Sequence, residues 1–238
     1  MGHDQRSLVS AAARRDNGDV VAENLDLAGT RVLDVGCGDG GLARMMTRRG
    51  ATVTGLECNP KQLDKALAAE PAGDEAYVGG VGEDLPFDDA SMDAVVFFNS
   101  LHHVAVEAQA AALAEAARVV RPGGVVYVAE PVAEGPHFRL TMPVDDETRV
   151  RAAAYAVIRD AGALGLGQEK EFTYTHAVVH PSFEAFHERM VTINPARRET
   201  FAAKEAMMRA NFERLGAKGE DGWAFDQPMR VNVLRKAS

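Results

Sequence analysis

The sequence has almost no cysteine, no long apolar run, no internal repeat and no excess of basic residues, and each absence excludes a class of protein. Only Cys37 and Cys58 occur, in separate contexts without a C-x-x-C. Neither a disulfide scaffold nor a zinc ribbon is therefore expected, and two free thiols suit the reducing cytoplasm. No stretch of about 18 apolar residues exists, so no membrane span is expected. Residues 1–10 lack a signal-peptide core, and Arg6 stands where N-myristoylation needs Ser or Thr. The formal net charge is −9, a long-range field that disfavours a polyanion, so no nucleic-acid partner is expected. The adjacent basic pairs Arg14-Arg15, Arg48-Arg49 and Arg197-Arg198 read as solvated helix faces. No metal is assigned: the acidic run Asp145-Asp146-Glu147 reads as the N-terminal charge of the helix that follows it.

What is present is a 238-residue chain, 46% hydrophobic, long enough for one domain with its own core. Residues from about 6 to 27 read as two helical pieces broken at Asn17-Gly18. Arg31–Val35 reads as a short buried strand, followed by a helix over Gly41–Arg49. A β-branched strand covers Ala51–Leu56, and Asn59-Pro60 is an N-cap with proline at the first helical position. Short strands follow at Ala76–Val78 and at Asp93–Phe98, the latter uniformly apolar. An alanine-rich helix leads to a tight turn at Arg121-Pro-Gly-Gly124 and a strand over Val125–Ala129. Alternating strands and helices predict a parallel sheet covered on both faces by right-handed crossovers. Further on, helices are expected over Asp145–Asp160, Pro181–Met190 and Pro195–Leu215, and strands over Glu171–Val179 and Met229–Leu234.

The chemistry concentrates at the first strand end. Gly36-Cys-Gly-Asp-Gly-Gly41 joins a strand to a helix, where glycine permits positive φ and close approach of a ligand. Gly36, Gly38 and Gly41 alone satisfy the dinucleotide fingerprint, and Glu57, closing the second strand, fits the ribose of any adenosine ligand. Asp34 separates the readings. A buried carboxylate is costly unless satisfied; it would attract an ammonium and orient the loop amides, but would repel a pyrophosphate. Gly82-Glu83-Asp84-Leu85-Pro86-Phe87 adds an acidic side chain and an apolar one suited to an adenine amino group and ring.

As an ordered set, Val32–Gly40, Glu57, Glu83–Phe87, Asn99–Val104 and Arg121–Gly124 resemble the motifs of class I S-adenosylmethionine-dependent methyltransferases. They are most similar to the branch with ubiquinone and menaquinone biosynthesis enzymes and many small-molecule enzymes. The resemblance covers roughly residues 28 to 130. It implies an α/β, Rossmann-like, doubly wound sheet of seven mostly parallel strands, the last antiparallel, with a helical insertion or cap. It implies S-adenosyl-L-methionine as cofactor and S-adenosyl-L-homocysteine as product. Gly36, Cys37 and Gly38 would run under the methionine part, with Asp34 supporting them. Glu57 would hold the ribose, with Cys58 beside the adenine. Asp84 would meet the adenine N6 and Leu85 its ring, with Glu83 beside them among the cofactor-binding residues, while Asn99 and Leu101 would border the methionine and sulfonium region. One methyltransferase domain over 1–238 is expected: N-terminal helices at 1–27, the cofactor core at 28–130, a substrate cap at 131–170, and a late strand pair with a helical insertion at 171–238.

The sulfonium is an activated donor, so alignment supplies much of the catalysis, and a base is needed only for an acceptor protonated at neutral pH. His102 and His103, just past a buried strand, are the candidate bases. His137, Arg139, Tyr155, Tyr174, His176 and His180 are the other polar residues able to reach an acceptor. The leading expectation is methyl transfer to an oxygen, carbon or nitrogen of a small molecule. The alternatives are a non-catalytic regulatory binder of the same cofactor and an NAD(P)-dependent oxidoreductase.

Overall fold

The computed structural model describes residues 14–238; the helix expected before residue 14 and the two N-terminal targeting readings lie outside the described residues. Asn17-Gly18 opens the second of the two expected helical pieces. Asp16 accepts hydrogen bonds from the amides of Gly18 at 2.7 Å and Asp19 at 3.1 Å, which caps α1 (Asn17–Asn24). Strands and helices then alternate: β1 (Arg31–Val35), α2 (Gly41–Arg48), β2 (Thr52–Glu57), α3 (Pro60–Ala68), β3 (Ala76–Gly79), β4 (Met92–Phe98), α4 (Gln109–Val119) and β5 (Val120–Pro131). Asn59 caps α3 as expected, accepting from the Lys61 amide at 3.0 Å, with Pro60 in the first turn.

After β5 come α5 (Gly135–Thr141), α6 (Thr148–Arg159), β6 (Leu166–His180), α7 (Phe183–Ile193), α8 (Arg197–Ala203), α9 (Glu205–Leu215), β7 (Ala217–Gly219) and β8 (Gly222–Lys236). Among the described residues eight strands form one sheet in the order β3-β2-β1-β4-β5-β8-β6, with β7 beside β8 off this path. The pairs β1–β2, β1–β4, β2–β3 and β4–β5 are parallel, and β7 runs antiparallel to β8. This is the expected Rossmann-like α/β class; the three-residue β7 is additional to the seven strands anticipated. From β1 the chain winds outward through β2 to β3, then returns to place β4 on the other side of β1. The strand order therefore reverses between β1 and β4, where open α/β sheets leave a ligand crevice beyond the carboxyl ends of the strands.

Packing groups the described chain into two compact units, one of residues 16–131, 148–172 and 230–238, the other of residues 14–15, 132–147 and 173–229. In the first, Leu33, Val95, Phe97, Leu113 and Val126 are fully buried in one apolar core, each contributing about 1.5–3 kcal/mol by burial. Asp93 ties three strand starts together: its carboxylate accepts from the Arg31 amide at 2.9 Å and from the Arg121 guanidinium at 2.7 Å. The Arg121 hydrogen bond leads the causes that hold its carboxyl below the usual range.

Arg121-Pro-Gly-Gly124, expected as a turn between helix and strand, lies within β5 as a bulge. Met92 pairs with Val120 and Ala94 with Val125, so four residues of β5 face one of β4, and Gly123 adopts φ +72° to absorb the excess. In the second unit, Phe183, Phe186, Phe201, Met208, Phe212 and Phe225 form a separate aromatic core. The helix expected over Pro195–Leu215 divides at Lys204 into α8 and α9, where the Lys204 ammonium donates to the Pro143 carbonyl at 2.6 Å. Asp145, expected to open a helix, instead pairs with the Arg197 guanidinium, and α6 begins at Thr148.

Candidate functional site

Asp34, near the end of β1, is 1% exposed, and its Oδ2 has no hydrogen-bond partner. Burial first, and the Glu57 charge second, push its carboxyl up to about 7. Beyond it the chain turns at Gly36, with φ +73°; a Cβ there would lie 2.6 Å from the Ser100 Cβ. Only glycine lets this loop approach the exit of β4 so closely.

The loop amides are not held by Asp34, which corrects the sequence expectation. The Gly36 and Cys37 amides donate to the Leu56 carbonyl at 2.8 and 3.1 Å, and the Gly38 amide donates to Glu57 Oε2 at 2.8 Å. Glu57 Oε1 accepts the Asn59 amide at 2.7 Å. A carboxylate has about four lone-pair sites, so Glu57 organises the loop and retains capacity for two further donors. Gly38 has nothing within 4 Å of where a Cβ would stand, which leaves an open floor. Cys37 is buried and Cys58 exposed, both as free thiols. Burial, followed by neighbouring carboxylates, pushes both upward, so they remain protonated and uncharged.

After β3, Glu83 is half-buried, Asp84 exposed and Leu85 buried in the core. This segment is clamped from α4 by a pair that sequence reading missed. The Arg118 guanidinium donates to the carbonyls of Leu85 at 2.9 Å and Phe87 at 2.8 Å, while Glu115 accepts the Leu85 amide at 2.9 Å. The only signal was an acid and a base three residues apart on an otherwise alanine-rich helix.

At the exit of β4, Asn99 is exposed with φ +54°, and Leu101–His103 form one 3-10 turn. His102 and His103 diverge: His102 is 3% exposed, whereas His103 lies at the surface. Their rings are 4.0 Å apart between centroids. His102 Nδ1 pairs with Glu130 Oε2, and Glu130 Oε1 accepts the amides of Leu101 at 2.9 Å and Ser100 at 3.2 Å. Glu130 was also missed. Its signal is the one Asp34 and Glu57 share, a carboxylate at the end of an apolar strand.

The remaining polar candidates are engaged elsewhere. Tyr155 donates to Glu171 at 2.8 Å beneath the Arg230 guanidinium, and His176 Nδ1 lies 3.3 Å from the Arg15 carbonyl. His180 stacks on His137, and the Arg139 Nε donates to the Gly135 carbonyl at 3.4 Å.

Asp34, Gly36, Gly38, Glu57 and Asn99 thus gather at the carboxyl ends of β1, β2 and β4, with Glu83–Leu85 following β3 at the same edge. An orphaned buried carboxylate calls for a cationic donor, and the spare lone pairs of Glu57 suit a vicinal diol. The two carboxylates, Asp34 and Glu57, oppose a pyrophosphate, although the Arg44 guanidinium donates to the Asp39 carbonyl of the same loop at 2.9 Å. The donor set fits a nucleoside that carries an amino acid.

Residues 33–128 match the family model described as a methyltransferase domain. The chain is 40% identical over 118 residues to the malonyl-[acyl-carrier protein] O-methyltransferase of Serratia marcescens, covering 49% of this chain and 45% of that protein. It is 44% identical over 108 residues to the ubiquinone biosynthesis O-methyltransferase of Paracidovorax citrulli, covering 42% and 43% respectively. The chain thus aligns with less than half the length of these relatives. Among solved structures, the [4+2]-cyclase SpnF shares the fold, with a TM-score of 0.61, 20% identity, and coverage of 96% of this chain and 88% of that one.

Proposed function

We propose that the chain, whose residues 33–128 match the methyltransferase domain family model, is an S-adenosyl-L-methionine-dependent methyltransferase acting on a small molecule. The observation that carries this reading is Asp34: a fully buried carboxylate oxygen without a partner, two residues before Gly36. It supplies a counter-charge for the ammonium of the methionine part. Gly36, Cys37 and Gly38 form the floor, Glu57 takes the ribose hydroxyls, and Cys58 borders the adenine. Glu83 and Asp84 face the adenine amino group, with Leu85 backing them from the core. Asn99 and Leu101 border the sulfur end.

When bound, the sulfonium supplies an activated methyl group, and what the chain adds is alignment and exclusion of water. Holding the acceptor in line can lower the barrier by about 7–11 kcal/mol. Of the two candidate bases, burial and the Glu130 contact favour His102 over His103. The two curated relatives named above are O-methyltransferases, which supports a small-molecule acceptor and no nucleic acid. No helix among the described residues is long and apolar enough to cross a membrane, and two free thiols fit the cytoplasm.

The test is transfer of a labelled methyl group from S-adenosylmethionine to a panel of phenols, carboxylic acids and amines. Incorporation that is lost in Glu57→Ala supports the reading. Tight S-adenosylhomocysteine binding without transfer to any acceptor would favour the second reading, a binder or an enzyme of another class. A cyclase on this same fold gives that second reading its place.

A further inference from the structure

We propose that Tyr77 is a positioning residue that sets the height of the glycine loop, and through it the seat of the methionine half of the cofactor. The proposal rests on the methyltransferase reading and adds to it a residue of β3 that lies outside the motifs.

The geometry starts from the sheet register. Asp34 of β1 pairs with Gly55 of β2, and Gly55 with Tyr77 of β3, so the three stand in one row and face the same side. Gly55 leaves a gap in that row which its neighbours fill. A Cβ there would lie 2.7 Å from Cys37 Sγ and 2.8 Å from Tyr77 Cδ1. The far end of the same ring meets the loop. A Cβ at Gly40 would lie 2.5 Å from the Tyr77 hydroxyl oxygen and 2.7 Å from Cε1 and Cζ. One ring therefore occupies the space of two absent side chains, one in the sheet and one at the start of α2.

The loop is held in two halves. Leu56 and Glu57 hold the first, residues 36–38, through its amides. The second, Asp39-Gly40, meets Tyr77 and Arg44. The Arg44 guanidinium donates to the Asp39 carbonyl at 2.9 Å and to the Tyr77 hydroxyl at 3.4 Å. That hydroxyl in turn donates to the Gly40 carbonyl at 3.4 Å. Burial raises the Tyr77 hydroxyl above its ordinary value, so it stays protonated and a donor. At 3.4 Å these hydroxyl contacts are weak, and the volume of the ring carries the effect. Without that volume a void would stand beside Gly40, which close packing disfavours, and the floor at Gly38 would drop. The adenosine half rests instead on Glu57, held also by the Asn59 amide, and on residues 83–85, clamped from α4.

The test uses the full chain and two variants. Tyr77→Leu still covers Gly55 but stops short of Gly40, and Tyr77→Phe keeps the ring and removes only the atom nearest Gly40. Calorimetric titration compares S-adenosylhomocysteine with adenosine, which lacks the methionine part. In Tyr77→Leu the first should bind about tenfold more weakly, a loss of about 1.4 kcal/mol, while adenosine binds as in the wild-type protein. Tyr77→Phe should show the same split at about threefold. In the ligand-free chain, exchange of the Gly40 amide, which donates to the Cys37 carbonyl at 3.0 Å, should quicken in both variants. The Gly36 and Cys37 amides, held by Leu56, should exchange as before. Equal weakening of both ligands would make the ring part of the general fold and overturn the proposal. So would an unchanged S-adenosylhomocysteine affinity, or an unchanged Gly40 exchange. If Tyr77→Leu does not fold, Tyr77→Phe decides alone by the same criteria. Failure of the wild-type protein to bind S-adenosylhomocysteine would strike the methyltransferase reading, while the Gly40 exchange still decides whether Tyr77 holds the loop.

Discussion

Asp34 shows how much one side chain can decide. Its carboxyl is raised to about 7 by burial and by Glu57, so its neutral form is favoured in the folded chain. The stability it contributes is complete below the ordinary aspartate range and is lost as pH rises through about 7. A ligand ammonium reverses the preference, because it stabilises the charged form. S-adenosylhomocysteine binding about one pH unit below that value should therefore release a proton, and affinity should rise toward neutrality. Calorimetry in two buffers of different ionisation enthalpy measures the release, which Asp34→Asn should abolish. Binding that leaves the proton count unchanged in the wild-type protein would remove Asp34 from the ammonium site. At this scale the types of residue were legible, since a carboxylate inside a buried strand, a glycine loop and a strand-end glutamate are local patterns. Which group holds which was not. The loop amides go to Leu56 and Glu57, and His102 finds its partner 28 residues away at Glu130, a pairing that only β4–β5 adjacency creates.

Elements were legible where their ends carry their own chemistry. Asn59-Pro60 starts α3 as expected, because capping is decided within three residues. At Asn17-Gly18, where a break between helical pieces was expected, the second piece starts, with Asp16 one position earlier supplying the cap. The Arg121–Gly124 bulge was hidden for a different reason: its register is set by β4, not by its own residues. The β7–β8 hairpin carried a local signal that was passed over, an Asp221-Gly222 pair of the kind that favours tight turns. A prediction belongs to the meeting of β6, α7, α9 and β8. His180, at the end of β6, is 3% exposed, its Nε2 has no partner, and Phe186, Phe212 and Phe225 surround it. Burial, then the Arg189 charge, lowers it to about 4. The unfolded chain therefore takes up a proton near the ordinary histidine value while the folded chain does not. This contribution to stability is complete above about 6.5 and is lost as pH falls toward 4, at about 1.4 kcal/mol per pH unit. His180→Phe should remove it, so that near pH 5 the variant gains about 2 kcal/mol on the wild-type protein relative to pH 7. Denaturant titrations at the two pH values check this, and parallel curves for both proteins would refute it. Comparing variant with wild type matters, because Asp34 works in the opposite direction over the same range.

At the scale of the whole molecule, the Rossmann-like order was legible from alternation alone, since parallel strands need crossovers and the crossovers here are periodic helices. The later elements were read less well, as the aromatic core of the second unit draws on residues from 140 to 225 with no local repeat. The likeness in sequence is confined to the first half: the family match covers residues 33–128 and includes His102, whereas Glu130 and the segments after it lie outside the match. The central claim concerns the shared half: a glycine loop preceded by Asp34 and followed by Glu57 binds an amino-acid-bearing nucleoside, not a pyrophosphate. Calorimetric titration of the full chain with S-adenosylhomocysteine and, separately, with NAD tests it most directly. The account predicts saturable one-to-one binding of the first, lost in Gly36→Ala, and none of the second; binding of NAD, or indifference to both, would contradict it.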